Sequence, residues 1–184
     1  MNLNTSIRWI IGVAIFVLLA FLPLLDEPYY LALAISVLTY GVLATSWALF
    51  SGPTHYISLA TAAFYGLGAY TVGLGIESVP YVVLLILATV FGAALAFLVG
   101  WATLRLSGVY FVIFTLGLAE FIRQVITWVQ NNFTGSRGVY VLTDITEQHI
   151  YWELLALAAV VALFGLWLKR SRLGFSLRVI GGDE

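Results

Sequence analysis

Between Pro28 and Ile76 the chain runs for 49 residues without an Asp, Glu, Lys or Arg. A helix or strand at the surface of a water-soluble fold needs a polar face, and a stretch of this length and character cannot supply one. In a bilayer it has a natural place. A helix crosses the hydrocarbon core in about 20 mostly apolar residues, so the run is too long for one span and suits two. The rest of the chain is similar. Hydrophobic residues make up 62% and charged residues 9%, where soluble domains carry about 45–50% and about 25%. Too few polar side chains remain to cover a globule, which excludes a soluble enzyme, a nucleic-acid binder and a disordered chain. The expected fold class is all-α, a polytopic transmembrane helical bundle.

About six spans are predicted. The first is Trp9–Leu25, which is free of charge. Arg8 and the apolar core also fit a signal peptide, but no small-residue cleavage pattern precedes Asp26-Glu27, so a retained span is expected. Turn formers in Ser51-Gly52-Pro53-Thr54-His55 divide the long run into spans of about Tyr30–Phe50 and Ile57–Ile76. The remaining spans are Val79–Leu104, Val109–Val129 and Tyr151–Leu168. Ile57–Ile76 holds Gly66, Gly68, Gly73 and Gly75, and a broken or re-entrant segment is the alternative there. Irregular backbone is tolerated at membrane depth only where protein or a water-filled cavity covers it.

Lys and Arg set the orientation, because cytoplasmic loops of membrane proteins are enriched in them. Six spans with a cytoplasmic N-terminus place Arg8, Arg105, Lys169, Arg170, Arg172 and Arg178 inside and only Arg137 outside, a 6:1 split. Without the third span the split falls to 5:2. Trp9, Trp47, Tyr56, Trp101 and Trp167 then lie near the inner interface, and Tyr29, Tyr30, Tyr81, Trp128, Tyr151 and Trp152 near the outer one. Interfaces attract such half-polar rings.

Catalytic motifs are missing from the sequence. There is no Cys, and the two histidines, His55 and His149, are far apart and read as solvated loop residues. No phosphate-binding loop precedes the only lysine, Lys169, so ATP hydrolysis by this chain is not expected, nor is a cofactor or a metal. Glu120 and Arg123 stand out instead. Three residues apart on a helix, they share a face and can pair. Glu120 lies about 18 Å along its span from Gly108, slightly past the middle. An ionised group there costs on the order of 2.5–3.5 kcal/mol even on lenient scales, so it should face protein or water. Two readings stay open, a group lining a translocation pathway and a self-contained pair that braces the helix.

Association of helices already in lipid depends on close backbone approach and polar contacts. Ala88, Gly92, Ala96 and Gly100, each four apart, predict a packing stripe on the fourth span; Gly41, Ala44, Thr45 and Ala48 offer a weaker one on the second. The outer loop Gln130–Ile150, with its Thr134-Gly135-Ser136-Arg137-Gly138 turn, is long enough to cover a cavity mouth. Past Lys169-Arg170, Leu173, Leu177 and Ile180 fit a short amphipathic helix that touches anionic lipid or docks a cytoplasmic partner.

Four stretches together resemble the LivM-like permeases, the membrane subunits of branched-chain amino acid ABC importers. Ser58-Leu59-Ala60 and Ala62–Tyr70 are similar to that family's Gly/Ala-rich S-L-G-x-A-A-F-F-G-I-G-A-Y segment. Leu106–Arg123 resembles L-x-G-x-Y-F-A-I-x-T-L-x-x-x-E-x-x-R. Thr134-Gly135 with Gly138 resembles the following T-G-G-x-x-G. Ser171–Ile180 resembles S-x-x-G-R-A-L-R-A-I, the loop that docks on the ATPase. Ala60 replaces a usual Gly, Phe175 a common Arg, and Gly181-Gly182 a more polar stretch. The resemblance implies one permease domain over 1–184, about the first three-fifths of such a subunit. Within it, 169–184 forms the docking loop, with Arg172, Gly174, Leu177, Arg178 and Glu184 as the docking residues. It also implies a sister permease, cytoplasmic ATPase subunits and an external substrate-binding protein as partners. The substrate would be a small zwitterion such as leucine, isoleucine or valine, with urea or a short amide as the alternative. A secondary transporter that uses Glu120 as its coupling group, and a non-transporting scaffold, are the readings from other classes.

Overall fold

The computed structural model describes residues 12, 14–25, 27–103, 106, 108–134, 145–172 and 174. All regular structure among them is helical. The main helices are α1 (Pro28–Thr54), α2 (Thr61–Gly75), α3 (Tyr81–Thr103), α4 (Gly108–Val129) and α5 (Glu147–Arg170). Among the described residues, four stretches are long and apolar enough to cross a membrane, namely Pro28–Thr54, Tyr81–Thr103, Gly108–Asn132 and Glu147–Arg170. The protein is a multi-pass membrane protein of the all-α class.

The two remaining predicted spans are shorter among the described residues. In the first, residues 14–20 are helical, Phe21 is a turn and Leu22–Leu25 form a 3-10 turn. The helix stops before Leu25 because Pro23 has no N–H to continue the ladder. In the third, residues 55–59 are irregular and the helix begins only at Thr61. At 15 residues, α2 rises about 22 Å, less than the roughly 30 Å hydrocarbon core. The break between the second and third spans also falls later than expected. α1 continues through Gly52 and Pro53 to Thr54 and ends at His55, whose φ of 57° is left-handed. A proline costs a helix least in a terminal turn, and a left-handed residue is the usual way a helix terminates.

The chain forms two compact units. One comprises the described residues within 1–46 and 145–171. Its core is Leu31, Ala34 and Leu38, spaced as one face of α1, packed on Tyr151 and Leu155 of α5. Tyr151 is fully buried, and its hydroxyl donates to the Leu19 carbonyl at 2.6 Å. That carbonyl would ordinarily accept from the N–H four residues on, which is Pro23 and has none. Tyr151 is therefore a core residue. His149 is no loop residue: it sits in the first turn of α5, with Nε2 3.4 Å from Glu153 Oε1.

The second unit comprises the described residues within 47–144 and 172–184. In it α2 and α3 are joined by residues 76–80, a length that makes the two helices antiparallel neighbours. The joint closes through Ser78 and Val79 N–H groups donating to the Gly75 carbonyl at 3.0 and 2.9 Å. Gly75 lies directly against Leu84, and a Cβ there would collide with the Leu84 side chain. Gly66 faces Ile126 of α4, where a Cβ would lie 3.7 Å from Cδ1. Gly108, with φ of 56°, opens α4 in a conformation that favours glycine.

Candidate functional site: a charged helix face and an unwound stretch

The unwound stretch between α1 and α2 is held from three sides. Trp47 Nε1 donates to the Ser58 carbonyl at 2.8 Å. The Leu59 N–H donates to Thr115 Oγ1 at 3.1 Å, and Thr115 in turn donates to the Val112 carbonyl at 3.0 Å. Thr115 is fully buried. Phe111, one turn earlier on α4, stacks on Phe50 at 6.1 Å and meets Tyr56 edge-on at 5.1 Å. Non-helical backbone at membrane depth needs this kind of satisfaction from neighbouring protein. The aromatic contacts pack beside the stretch while the side-chain hydrogen bonds serve freed backbone groups. Sequence reasoning placed turn formers here but missed Thr115, whose only signal was a hydroxyl within an apolar run.

Further along α4 the character of the exposed face changes. Arg123 pairs with Glu120 through two hydrogen bonds, Nε to Oε2 at 2.9 Å and Nη2 to Oε1 at 2.7 Å. Gln124 Nε2 donates to the same Oε1 at 2.9 Å. The bidentate geometry fixes both planar groups and satisfies much of their charge locally. The side chains are nevertheless open, Arg123 at 70% and Glu120 at 53% exposure. Both therefore point away from the rest of the described chain. At about 100° per residue, Ile113, Leu116, Gly117, Glu120, Arg123, Gln124 and Thr127 all lie within about 60° of Glu120. The half of this face toward Gly108 is apolar, with Ile113 and Leu116 at 60% and 57% exposure. The other half is polar. Gly117 sits at the junction with nothing within 4 Å of a Cβ built there.

Ala88 and Gly92 are half-buried, whereas Ala96 and Gly100 are exposed. Steps of four residues advance about 40° each around a helix, so the stripe spirals off the face that α3 gives to its neighbours. Cβ atoms on Gly92 and Gly100, and on Gly68 in α2, meet nothing within 4 Å. In the docking segment, Arg172 is exposed and Gly174 buried, while Leu177, Arg178 and Glu184 lie outside the described residues. So do Arg8, Arg105 and Arg137. The last turn of α5 carries Lys169 and Arg170, and the Ser171 N–H and hydroxyl both donate to the Leu168 carbonyl, at 3.2 and 3.0 Å. Cations at that end complement the helix dipole.

An open groove of about 410 Å³ lies among α2, α3 and α4, lined by residues such as Leu67, Leu74, Leu84, Phe91 and Val129. Its walls are almost wholly apolar and suit acyl chains, not a charged solute.

Residues 29–184 match the family described as branched-chain amino acid transport system / permease component. The chain belongs to that family. No curated protein and no solved structure matches it. The permease assignment agrees with the apolar helices, and it gives the charged face of α4 a context. A permease component must offer a polar solute some route through an apolar medium, and ionisable groups inside spans are where such routes are commonly marked.

Proposed function

We propose that this permease is the membrane subunit of an ATP-driven importer for branched-chain amino acids. It works with a sister permease, cytoplasmic ATPase subunits and an external substrate-binding protein, in the inner or plasma membrane, with its N-terminus cytoplasmic. The observation that carries this reading is the family match across 29–184. The exposed Glu120–Arg123 pair supports it, because that face must meet protein or water and not lipid tails. In this reading the pair lines or braces the translocation route. The 171–184 segment, through Arg172, Gly174, Leu177, Arg178 and Glu184, docks the ATPase and carries nucleotide-driven motion to α5. The small residues Ala88, Gly92, Ala96 and Gly100 meet the sister permease, and Gly66 and Gly68 allow close packing of α2. Alternating access then requires that substrate affinity differ between the two facing states.

The test is co-purification of candidate ATPase subunits with the full-length permease, with and without 171–184, alongside leucine uptake. ATPase capture that depends on the segment, together with ATP-dependent uptake, is the expected result. Uptake that runs on an ion gradient without any ATPase, and fails in Glu120→Gln, would replace the importer with a secondary transporter.

A further inference from the structure

Resting on that reading, we infer that the exposed face of α4 centred on Glu120 is itself a contact site for an amino-acid zwitterion. The hydrogen-bonding capacity left over after the pair has formed carries the inference. A guanidinium has five N–H donors in one plane. Arg123 gives Nε–H and one Nη2–H to Glu120, and its other three N–H groups have no partner among the described residues. Two of them, one on Nη1 and one on Nη2, form the end-on edge that fits a second carboxylate. Glu120 Oε1 already accepts from Arg123 and Gln124, whereas among the described residues Oε2 accepts only from Arg123 Nε. One acceptor position on Oε2 is thus open. An open donor edge beside an open acceptor complements an α-carboxylate beside an α-ammonium.

The apolar half of the same face completes the match. Leu116 and Ile113 lie one and two turns from Glu120 toward Gly108, both exposed, and Gly117 leaves open space beside them. A leucine whose charged end meets Glu120 and Arg123 has its aliphatic side chain over Leu116 and Gly117. Because the pair stays closed while it binds, no uncompensated charge is left behind when the substrate departs, and weak, reversible contact of this kind suits a route and not a store.

The experiment uses the assembled transporter in proteoliposomes and compares uptake of labelled leucine and labelled alanine. Three variants are tested: Glu120→Gln, Arg123→Gln and Gly117→Leu. Subunit recovery is measured for each. The first two are expected to lower uptake of both amino acids by about tenfold or more, each removing one charged contact. Gly117→Leu has room in the fold, so it is expected to assemble normally and to lower leucine uptake by about fivefold more than alanine uptake, because its side chain takes the space of the larger substrate. Equal loss of both substrates in Gly117→Leu, or no loss in any variant, overturns the site. Loss of subunit recovery in Gly117→Leu also overturns it and makes the face a subunit contact. A wild-type transporter that moves no branched-chain amino acid overturns the functional reading itself, an outcome distinct from wild-type uptake with indifferent variants.

Discussion

Single side chains in this permease repair what the backbone cannot. Tyr151 donates to a carbonyl that Pro23 leaves without its helical donor, and Thr115 accepts from an N–H that has left the helical ladder. Removing either hydroxyl strands a part-buried backbone group. In membrane proteins such bonds average about 0.6 kcal/mol and reach about 1.7. Tyr151→Phe is expected to lower stability in detergent by about 1 kcal/mol, measured by reversible unfolding, with little change in helix content. For Thr115 the expectation is sharper. Thr115→Val, which keeps the shape, should destabilise by about 1–2 kcal/mol, whereas Thr115→Ser should recover most of that loss. Equal behaviour of the two would show that shape, not the hydroxyl, matters at this position. Neither role was legible in the sequence. A lone Tyr near a span end reads as an interfacial anchor, and a lone Thr reads as a tolerated polar residue, until the carbonyl or N–H it serves is known.

Helices were the most legible level. Long apolar runs bounded by charges placed α3, α4 and α5 within a few residues, since the bilayer fixes both length and composition. Where the signal depended on turn residues it was less exact. Gly52 and Pro53 sit inside the last turn of α1, because a helix end tolerates them and the left-handed His55 was needed to stop it. The packing glycines show the same limit. Spacing by four drew attention to α3, yet the tight contact is Gly75 against Leu84, at the closed end of the α2–α3 hairpin. Gly75→Ala is expected to destabilise by about 1–3 kcal/mol as Leu84 is displaced. Gly92→Ala, with open space at its Cβ, should leave the isolated chain unchanged or slightly more stable. Thermal stability of the two variants in one detergent decides this. If Gly92→Ala instead abolishes recovery of a sister permease, the stripe is an interface with that subunit.

For the whole molecule, the family and the membrane class were legible because both depend on stretches of many residues. The Glu120–Arg123 pairing was legible too, from its spacing of three. Its exposure was not, since the direction a helix face takes depends on what the neighbouring helices cover. Orientation rests on the distribution of Lys and Arg. Single cysteines introduced at Ser78 and at Ser171 into this cysteine-free chain test it. In intact cells an impermeant thiol reagent is expected to label position 78 and to spare position 171 until the membrane is opened. The reverse pattern would invert the topology.

The link from Tyr151 to Leu19 joins positions 132 residues apart in sequence. A ribosome must therefore add 132 further residues before the Leu19 carbonyl can acquire its lasting partner. Until α5 emerges, the Leu19 carbonyl has only transient company, and the Leu31, Ala34 and Leu38 face of α1 lacks its cover. Contacts of such long sequence separation form late. The Leu31, Ala34 and Leu38 face of α1 is thus uncovered until α5 has been made, and its protection from protease is expected to arrive abruptly, once chains arrested at increasing lengths extend past Leu155.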